Sequence, residues 1–233
     1  MADEPVFLIT GASSGIGAET ARQAVAAGHR VVLAARSGDA LAELARELGG
    51  DRHALAVTCD VTEFEQQVAM TRAALDAFGR IDVVFANAGF GATRGFLEES
   101  PEHWRSMILT NVLGVALTVR ATLPHLLERG TGHYVLTSSV AGRRSLPGSV
   151  YSATKWAVTG LGQSLRGELR QMRQNTAIRV TLIEPGGVET PFFDTPGSGR
   201  LEAADIARTV LFAVSQPAHV DVAELLVLPS AQP

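Results

Sequence analysis

The sequence is poor in cysteine, lysine and tyrosine. Its one cysteine, Cys59, excludes an internal disulfide framework. Of the 20 basic residues 19 are Arg, and the single Lys is Lys155. The two tyrosines are Tyr134 and Tyr151, so the only Lys stands four residues after one of them. Because Arg cannot replace Lys where a compact ammonium is required, this pair is a first indication of chemistry.

Other absences narrow the class of protein. A net charge of −4 and a pI near 5.9 argue against a nucleic-acid-binding surface. The N-terminus lacks the basic and apolar regions of a signal peptide, and no uninterrupted apolar run reaches the roughly 18 residues of a membrane helix. The six His show no paired metal spacing. We therefore expect a cytoplasmic protein with no metal, no nucleic-acid partner and no membrane partner.

The alternation of apolar patterns predicts the fold. Short apolar runs, most without two-residue alternation, are typical of strands buried on both faces, and longer amphipathic stretches separate them. This order predicts right-handed βαβ units in one doubly wound (Rossmann-type) α/β domain over residues 1–233, with a seven-stranded parallel sheet and helices on both faces. The predicted strands are 6–10, 30–35, 54–58, 81–86, 133–137, 179–183 and 224–228. The predicted helices begin after Gly15 and span about 38–48, 63–78, 101–129, 151–173 and 203–215.

A Gly-rich turn directly follows the first predicted strand. The run TGASSGIG places glycines at positions 11, 15 and 17 in front of a helical pattern. Glycines there let the backbone approach a ligand, and the amides and dipole of a helix N-terminus favour a pyrophosphate. The spacing is neither G-x-G-x-x-G nor that of a P-loop. The alternative is a helix-capping turn in which Ser13 and Ser14 are the caps.

This turn resembles the cofactor turn of the short-chain dehydrogenase/reductase family. Further motifs of that family follow in order: Asp60-Val61, Asn87-Ala88-Gly89, Asn111, Ser138-Ser139, Tyr151 with Lys155, and the run from Pro185 to Thr190. Because these motifs occur in the order and spacing of the family over nearly the whole chain, the protein is identified as a member of that family. The resemblance implies a nicotinamide cofactor and hydride transfer between a small-molecule carbonyl compound and its alcohol.

The end of the second predicted strand indicates which nicotinamide is bound. An acidic residue there would bind the adenosine ribose 2′-hydroxyl and repel a 2′-phosphate. Ala35 occupies that position and Arg36 follows it, and a guanidinium can bind phosphate through two charge-assisted hydrogen bonds. Relatives with this pattern prefer NADP, so we predict NADP(H), with Ser37 adding a hydroxyl. The alternative is that Arg36 is a solvated loop charge, and Ser14 stands where many NADP-preferring relatives carry a basic residue.

The resemblance implies the other cofactor contacts, which follow the predicted strands. Asp60 and Val61 match a pair at the adenine edge, although Asp60 alternatively caps the next helix. Val188 and Thr190 match groups that hold the carboxamide. The predicted cofactor-binding set is Gly11, Ser13, Ser14, Gly15, Ile16, Gly17, Arg36, Ser37, Asp60, Val61, Asn87, Ala88, Gly89, Tyr151, Lys155, Pro185, Gly186, Val188 and Thr190.

Tyr151 and Lys155 form the predicted catalytic pair. They lie one helical turn apart and so share one face. A free tyrosine titrates at about 10, and a neighbouring ammonium lowers its pKa. This predicts Tyr151 as the proton donor in carbonyl reduction and as the base in alcohol oxidation. In the family the lysine also holds the ribose hydroxyls, for which a planar Arg is a poor substitute.

The resemblance adds a serine and Asn111 to the catalytic set. Counting 13 residues back from the tyrosine gives Ser138, whereas the motif Ser-Ser-Val-Ala-Gly gives Ser139. We favour Ser139, since a shift of the strand end by one residue would turn the side chain to the other face. In the family, the site of Asn111 kinks its helix so that a carbonyl holds a water and extends the proton path from Lys155. The alternative is an ordinary buried Asn.

The remaining predictions concern substrate and assembly. Residues 191–200 carry Pro and Gly, which favours a loop over a helical lid and suggests an open site with broad carbonyl substrates. The segment 215–232 resembles a subgroup that acts on 3-hydroxy acids and related polar aldehydes and ketones. By analogy, the helices at 101–129 and 151–173 form a homodimer or homotetramer interface. The alternative function is a catalytically idle NADP(H)-sensing regulator, a class that typically loses the Tyr–Lys pair.

Overall fold

A sheet of seven parallel strands forms the centre of the structure, a computed structural model that describes residues 4–91, 95–147, 150–172, 177–192 and 198–230. The strands are β1 (Val6–Thr10), β2 (Arg30–Ala35), β3 (Ala54–Thr58), β4 (Val83–Ala86), β5 (Thr131–Thr137), β6 (Ala177–Pro185), β7 (Val188–Glu189), β8 (Leu201–Glu202) and β9 (Glu224–Val227). The sheet order is β3-β2-β1-β4-β5-β6-β9, and β7 and β8 form a separate parallel pair. The predicted Rossmann-type fold is confirmed.

Helices cover both faces of this sheet. They are α1 (Gly15–Ala26), α2 (Gly38–Glu47), α3 (Phe64–Phe78), α4 (Pro101–Ile108), α5 (Gly114–Arg129), α6 (Val150–Gln171) and α7 (Ala203–Ser215). A π-helical segment, Leu109–Leu113, joins α4 to α5, and short 3-10 turns occur at Gly50–Arg52 and Val140–Gly142. Side chains of α1, α2 and α7 enter one core, and those of α3, α5 and α6 enter the other.

The central strand explains why the strand sequences lack alternation. All five residues of β1 are buried. Phe7 and Ile9 pack into one core, and Val6 and Leu8 pack into the other. A strand covered on both faces needs apolar side chains at every position. Each buried side chain of this size contributes about 1.5–3 kcal/mol, so the strand that carries the Gly-rich turn is firmly anchored.

Several predicted boundaries differ from those of the structure. β1, β2 and β3 have the predicted bounds, whereas β4 begins two residues late, at Val83. Asp82, just before it, accepts hydrogen bonds from Arg80, Arg129 and the Val6 amide, so side chains hold that connection. β5 and β6 each begin two residues early, because Thr131 pairs with Ala177. The predicted end of the sixth helix, residue 173, lies outside the described residues.

The helical stretch Pro101–Arg129 has the length and composition of a membrane span, with a mean hydropathy of 1.5. Arg105 and Arg120 interrupt the apolar run of this stretch, so the sequence pattern did not predict a membrane helix there. Val115 and Leu126 of this stretch are buried in the core shared with α3 and the sheet. The stretch therefore packs as a core helix of this fold, and the absence of a membrane partner stays a prediction.

The sheet order places a crevice above β1 and β4. The chain leaves β1 to one side, through β2 and β3, and returns to the other side at β4. Loops that follow the two strands therefore diverge, and ligands of doubly wound folds bind at such a point. The Thr10 hydroxyl accepts hydrogen bonds from the amides of Asn87 (3.1 Å) and Ala88 (3.2 Å), which fixes the two strand ends beneath the crevice.

Candidate active site

The crevice at the carboxyl ends of the strands has a volume of about 600 Å³, which lies in the range of small-molecule sites. Every residue of the predicted cofactor set lines it except Gly17. Ser139, Tyr151 and Lys155 line it as well, toward the end formed by Phe90, Leu146 and Phe192. The fold thus collects residues from seven separate stretches of sequence on one surface.

The Gly-rich turn forms a cradle that no other residue type would fit. A Cβ atom on Gly11, whose φ is +68°, would lie 2.8 Å from the Ala88 Cα. A Cβ on Gly17 would lie 2.3 Å from the Gly11 carbonyl oxygen. Gly17 therefore allows α1 to pack against the turn from behind rather than lining the crevice. The cradle and the N-terminus of α1 above it have the form that a pyrophosphate requires.

Ser13 and Ser14 of the Gly-rich turn do not cap α1, as the alternative interpretation of this turn requires. Ser14 occupies the N-cap position of α1, but its side chain makes no capping hydrogen bond. Both Ser13 and Ser14 line the crevice instead. Thr190 lies opposite, since a Cβ on Gly15 would be 3.2 Å from the Thr190 Cβ. Hydroxyl groups thus border the cradle on two sides.

Arg36 and Ser37 lie at the adenosine end of the crevice. Both are exposed, between the end of β2 and the start of α2. Ser37 is the N-cap residue of α2, and its hydroxyl makes no capping hydrogen bond. Ala35, in the position where an acid would bind a ribose, is buried. A cation, a hydroxyl and a helix N-terminus therefore converge where an anion is best accommodated.

Asp60 shapes the turn after β3 rather than capping the next helix. Its Oδ1 atom accepts hydrogen bonds from the amide (2.9 Å) and hydroxyl (2.8 Å) of Thr62. α3 begins only at Phe64, with Glu63 as its N-cap residue. Asp60 and the buried Val61 line the crevice together, so the alternative of a helix cap is wrong.

Asn87 ties three strand ends together. Its Nδ2 atom donates to the Thr10 carbonyl (3.2 Å), and its Oδ1 atom accepts from the Thr137 hydroxyl (3.1 Å). Both hydrogen-bonding ends of the amide are used within the protein. Asn87 therefore positions the floor of the crevice, on which the small residues Ala88 and Gly89 lie.

The geometry brings Ser139, and not Ser138, to Tyr151. The side chains of Ser139 and Tyr151 are hydrogen-bonded. The Ser139 hydroxyl also donates to the Pro185 carbonyl (3.3 Å) and accepts from the Ala141 amide (3.1 Å). Ser138 is buried beneath them, where its hydroxyl bonds to the Lys155 carbonyl and to Thr159. Its surroundings are those of a structural residue.

Burial sets the pKa values of the predicted catalytic pair. It raises the pKa of Tyr151 to about 12, an effect partly offset by the hydrogen bond with Ser139. It lowers the pKa of Lys155 to about 8. The Lys155 ammonium donates to the Thr137 carbonyl (2.8 Å) and lies 5.6 Å from the centre of the Tyr151 ring. Contrary to the prediction, the pKa of Tyr151 is raised and not lowered in the protein alone, because desolvation of the phenolate is the largest contribution.

Asn111 lies within the π-helical segment and is fully buried. Its Oδ1 atom accepts from the Phe90 amide (3.0 Å), and its Nδ2 atom donates to the Phe90 carbonyl (2.9 Å) and to the Thr154 hydroxyl (3.2 Å). The helix is thus distorted where the resemblance implies a kink, but the side chain serves to fix the loop after β4. A role for Asn111 in a proton path stays a prediction.

Two crevice residues within the predicted loop 191–200 had no individual role in the sequence interpretation. Arg200 lines the crevice near Gly187 and forms an ion pair with Glu189 (3.2 Å). Phe192 lies at the opposite end, against Tyr151. Neither belongs to a recognisable motif, and only the pairing of β7 with β8 brings Arg200 to this wall. Of the predicted loop 191–200, residues 193–197 lie outside the described residues.

An ion-pair cluster supports the loop that carries Ser139. Arg143 Nε lies 2.8 Å from both carboxylate oxygens of Glu184, which is fully buried on β6 beside Pro185. Arg143 also bonds to Glu224, which accepts from Gln163 (3.1 Å). Burial raises the pKa of Glu184, and Arg143 partly offsets this. The cluster joins the end of the Ser139 loop to β6 and β9.

Replacing Arg143 by Met is expected to lower the free energy of unfolding by about 1–3 kcal/mol. The buried Glu184 carboxylate then loses the half-exposed guanidinium that pairs with it. The loss should grow as pH rises from 5 to 8. The pKa of Glu184 is raised in the folded protein, so the unfolded chain releases the proton first and gains stability with increasing pH. Denaturant unfolding at both pH values measures this. Arg46→Met, at an exposed position on α2, is the control, and an equal loss in it would contradict the assignment.

Comparison with known proteins decides the family. A family model described as short chain dehydrogenase matches residues 5–199. The chain belongs to the short-chain dehydrogenase family. It is an oxidoreductase of that family, with the Rossmann-type crevice in which nicotinamide dinucleotides bind.

Three solved structures are similar to this short-chain dehydrogenase over almost its whole length. One is an alcohol dehydrogenase from Thermococcus sibiricus complexed with 5-hydroxy-NADP, 33% identical with a TM-score of 0.87, covering 99% of both chains. Another is a short chain dehydrogenase/reductase from Burkholderia phymatum in complex with NAD, 30% identical with a TM-score of 0.86, covering 96% of this chain and 89% of that one. The third is the Escherichia coli serine dehydrogenase, 32% identical with a TM-score of 0.87, covering 98% and 99%. Similar proteins thus bind either NADP-type or NAD cofactors.

Proposed function

We propose that this protein is an NADPH-dependent oxidoreductase that interconverts a carbonyl compound and a primary or secondary alcohol. The observation that carries the proposal is the hydrogen-bonded pair of Ser139 and Tyr151, with Lys155 beside it, at one end of a cofactor-shaped crevice. Glycines whose Cβ atoms would collide with backbone form the cradle, which fits a dinucleotide pyrophosphate. When bound, the cofactor supplies or accepts the hydride.

Three side chains of the site donate the proton, hold the substrate oxygen and stabilise the phenolate. Tyr151, with a pKa near 12, keeps its proton at neutral pH and donates it to the carbonyl oxygen during reduction. The Ser139 hydroxyl, whose oxygen accepts from the Ala141 amide, turns its single proton from the Pro185 carbonyl to the substrate oxygen and so holds it. Lys155 is held by the Thr137 carbonyl with its charge next to the Tyr151 ring, where it stabilises a phenolate as the proton leaves.

Arg36 supports the preference for NADPH. Replacing Arg36 by Ala is expected to raise the Kd for NADPH by roughly 10–100-fold, because hydrogen bonds to charged groups contribute about 1.5–3 kcal/mol. The Kd for NADH should change less than about threefold, since it lacks the phosphate that the guanidinium binds. Titration of the change in nicotinamide fluorescence measures both constants.

A second substitution tests the same position in the opposite direction. Ala35→Asp places a carboxylate at the end of β2, where it binds a ribose hydroxyl and repels a 2′-phosphate. We expect this variant to prefer NADH. Arg46→Ala, an exposed position on α2, is the matched control for loss of a surface charge. An unchanged ratio of the two dissociation constants in Arg36→Ala would remove the basis for the NADPH assignment.

The activity itself is tested with a panel of aldehydes, ketones and hydroxy acids, followed at the absorbance of the reduced nicotinamide. Turnover with NADPH that exceeds turnover with NADH supports the proposal. Tight NADPH binding with no turnover on any compound would instead favour the sensing regulator. The retained Tyr151 and Lys155 argue against that second candidate, because a protein that only binds cofactor does not need a proton donor.

Three further points stay predictions. The resemblance to enzymes of 3-hydroxy acids is supported by the similarity to a serine dehydrogenase, since serine is such an acid. Assembly into a homodimer or homotetramer is supported by exposed apolar side chains on the predicted interface helices, Ile108, Leu113 and Trp156. A cytoplasmic location is supported by the membership of the short-chain dehydrogenase family.

A further inference from the structure

We propose that Phe192 closes the substrate end of the crevice and selects neutral carbonyl compounds that bear an aromatic or branched apolar substituent. This inference rests on the proposed reductase function, and it argues against the 3-hydroxy acids suggested by residues 215–232 as the preferred substrates. Phe192 follows β7 and Pro191, and its ring meets the Tyr151 ring edge-on, with centres 5.6 Å apart and planes at 65°. The expected open site therefore has an aromatic side chain across its mouth.

On the opposite wall, the Phe192 ring occupies the space that a side chain on Gly91 would fill, and we call this space the seat. A Cβ atom on Gly91 would lie 2.5 Å from the Phe192 Cζ atom and 2.7 Å from its Cε1 atom. Gly91 does not have a positive φ, so its backbone would accept alanine. Phe192 thus needs the missing side chain of Gly91 and not its conformational freedom.

The backbone that forms the seat lies in a loop, but side chains from α4 and the π-helical segment hold it in place. Asn111 binds both the amide and the carbonyl of Phe90, the residue before Gly91. The Gly91 carbonyl lies 3.3 Å from His103 Nε2, and the His103 ring packs edge-on against the Phe90 ring at 5.2 Å. The wall is therefore fixed by α4 and the π-helical segment, whereas Phe192 is 40% exposed on the other side. Among the described residues, closure of this end depends on the position of the Phe192 ring.

The charges around this end favour a neutral substituent. Phe90, Leu146 and Pro191 line it together with Phe192. Among the crevice residues that the structure describes, the basic ones are Arg36, Lys155 and Arg200. Arg36 lies at the adenosine end, Lys155 is bound to the Thr137 carbonyl, and Arg200 is paired with Glu189. Among the described residues, a carboxylate placed against Phe192 would lose its hydration without gaining a cation that is not already bound elsewhere, which is unfavourable.

The test compares two methyl ketones, acetophenone and pyruvate, which carry a phenyl group and a carboxylate at the same position. The quantity measured is the ratio of kcat/KM for acetophenone to that for pyruvate, with NADPH. Comparing this ratio between variants cancels the intrinsic reactivity of the two ketones. Phe192→Ala is expected to lower the ratio by about 10-fold or more, the size of effect that lost apolar contacts have on specificity.

Gly91 provides an independent arm of the experiment. Gly91→Ala should displace the ring and lower kcat/KM for acetophenone by roughly 10-fold in the natural background. In the Phe192→Ala background the same substitution should change it less than about twofold, because no ring remains to be displaced. Gly167→Ala, where a Cβ meets nothing within 4 Å, is the matched control.

The outcomes separate this inference from the proposed function. Turnover of both ketones with a ratio that Phe192→Ala leaves unchanged would overturn the role of Phe192 while leaving the reductase standing. A kcat/KM that is higher for pyruvate than for acetophenone in the natural protein and in both variants would overturn the preference for neutral substrates while leaving the reductase standing. NADPH binding without turnover of either ketone or of any other carbonyl compound in the panel would overturn the proposed function, and this inference with it.

Discussion

Tyr151→Phe is expected to lower kcat for carbonyl reduction by about 10²–10⁴-fold, the contribution of a positioned general acid. The substitution removes one oxygen atom, and with it the hydrogen bond to Ser139. The ring remains, so the packing against Phe192 and the walls of the crevice are retained. The Kd for NADPH should therefore change little. Steady-state kinetics together with a fluorescence titration of NADPH separate the two effects.

The other tyrosine of the chain is the matched control. Tyr134 is fully buried, and its hydroxyl lies 2.9 Å from that of Thr122 beneath the sheet. Tyr134→Phe should cost about 1 kcal/mol of stability through the lost hydrogen bond and leave kcat within about twofold. Similar losses of kcat in both variants would show that the effect of Tyr151→Phe is structural. Full activity of Tyr151→Phe would remove Tyr151 as the proton donor.

Lys155→Met is expected to change activity and stability in opposite directions. Activity should fall by at least about 100-fold, because the phenolate loses its neighbouring cation. The cofactor-free protein should gain about 1–2 kcal/mol in free energy of unfolding. Lowering the pKa of Lys155 from 10.5 to about 8 corresponds to a cost of about 3 kcal/mol at pH 7, of which the lost bond to the Thr137 carbonyl cancels part.

The same reasoning fixes the pH dependence. Between about pH 8 and 10.5 the unfolded chain holds a proton on Lys155 that the folded chain has released, so this group makes the natural protein more stable as pH rises through that range. The Met variant should lack this increase. Thermal unfolding of the cofactor-free protein from pH 7 to 10 measures it. Lys155→Arg is the control, since it keeps the charge and should be both inactive and less stable. A Met variant that is less stable at pH 7 would contradict the assigned cost of burial.

Much of the fold was accessible from the sequence because the inner strands β1, β2 and β4 are buried on both faces. Four consecutive apolar residues followed by a buried threonine in β1 leave little alternative to a central strand. The local apolar pattern does not predict the π-helical segment, since the period runs through it without a Gly or Pro, and only the resemblance implied a kink at Asn111. It coincides with the bonds that Asn111 makes to Phe90, 21 residues away in the chain. Contacts over such a distance leave no local pattern.

The candidate site was predictable where a motif fixes a backbone position, and less so where burial decides the chemistry. The choice of Ser139 followed from the rule that adjacent residues of a strand face opposite sides. The pKa values of Tyr151 and Lys155 did not follow from their spacing, because the spacing gives the neighbour but not the desolvation. Phe192 was given no individual role for a related reason, since its seat is a missing side chain on a distant loop.

The position of β1 in the sheet has a consequence for the nascent chain. β2 and β3, on one side of β1, are translated soon after it, whereas its other neighbour, β4, ends only at Ala86. At about 5–20 residues per second, the ribosome leaves one edge of a largely apolar strand unpaired for several seconds. Such an edge is a template for pairing with other chains. The topology that opens a cofactor crevice between β1 and β4 thus also creates a period of aggregation risk during synthesis, which ends when Thr10 bonds to the amides of Asn87 and Ala88.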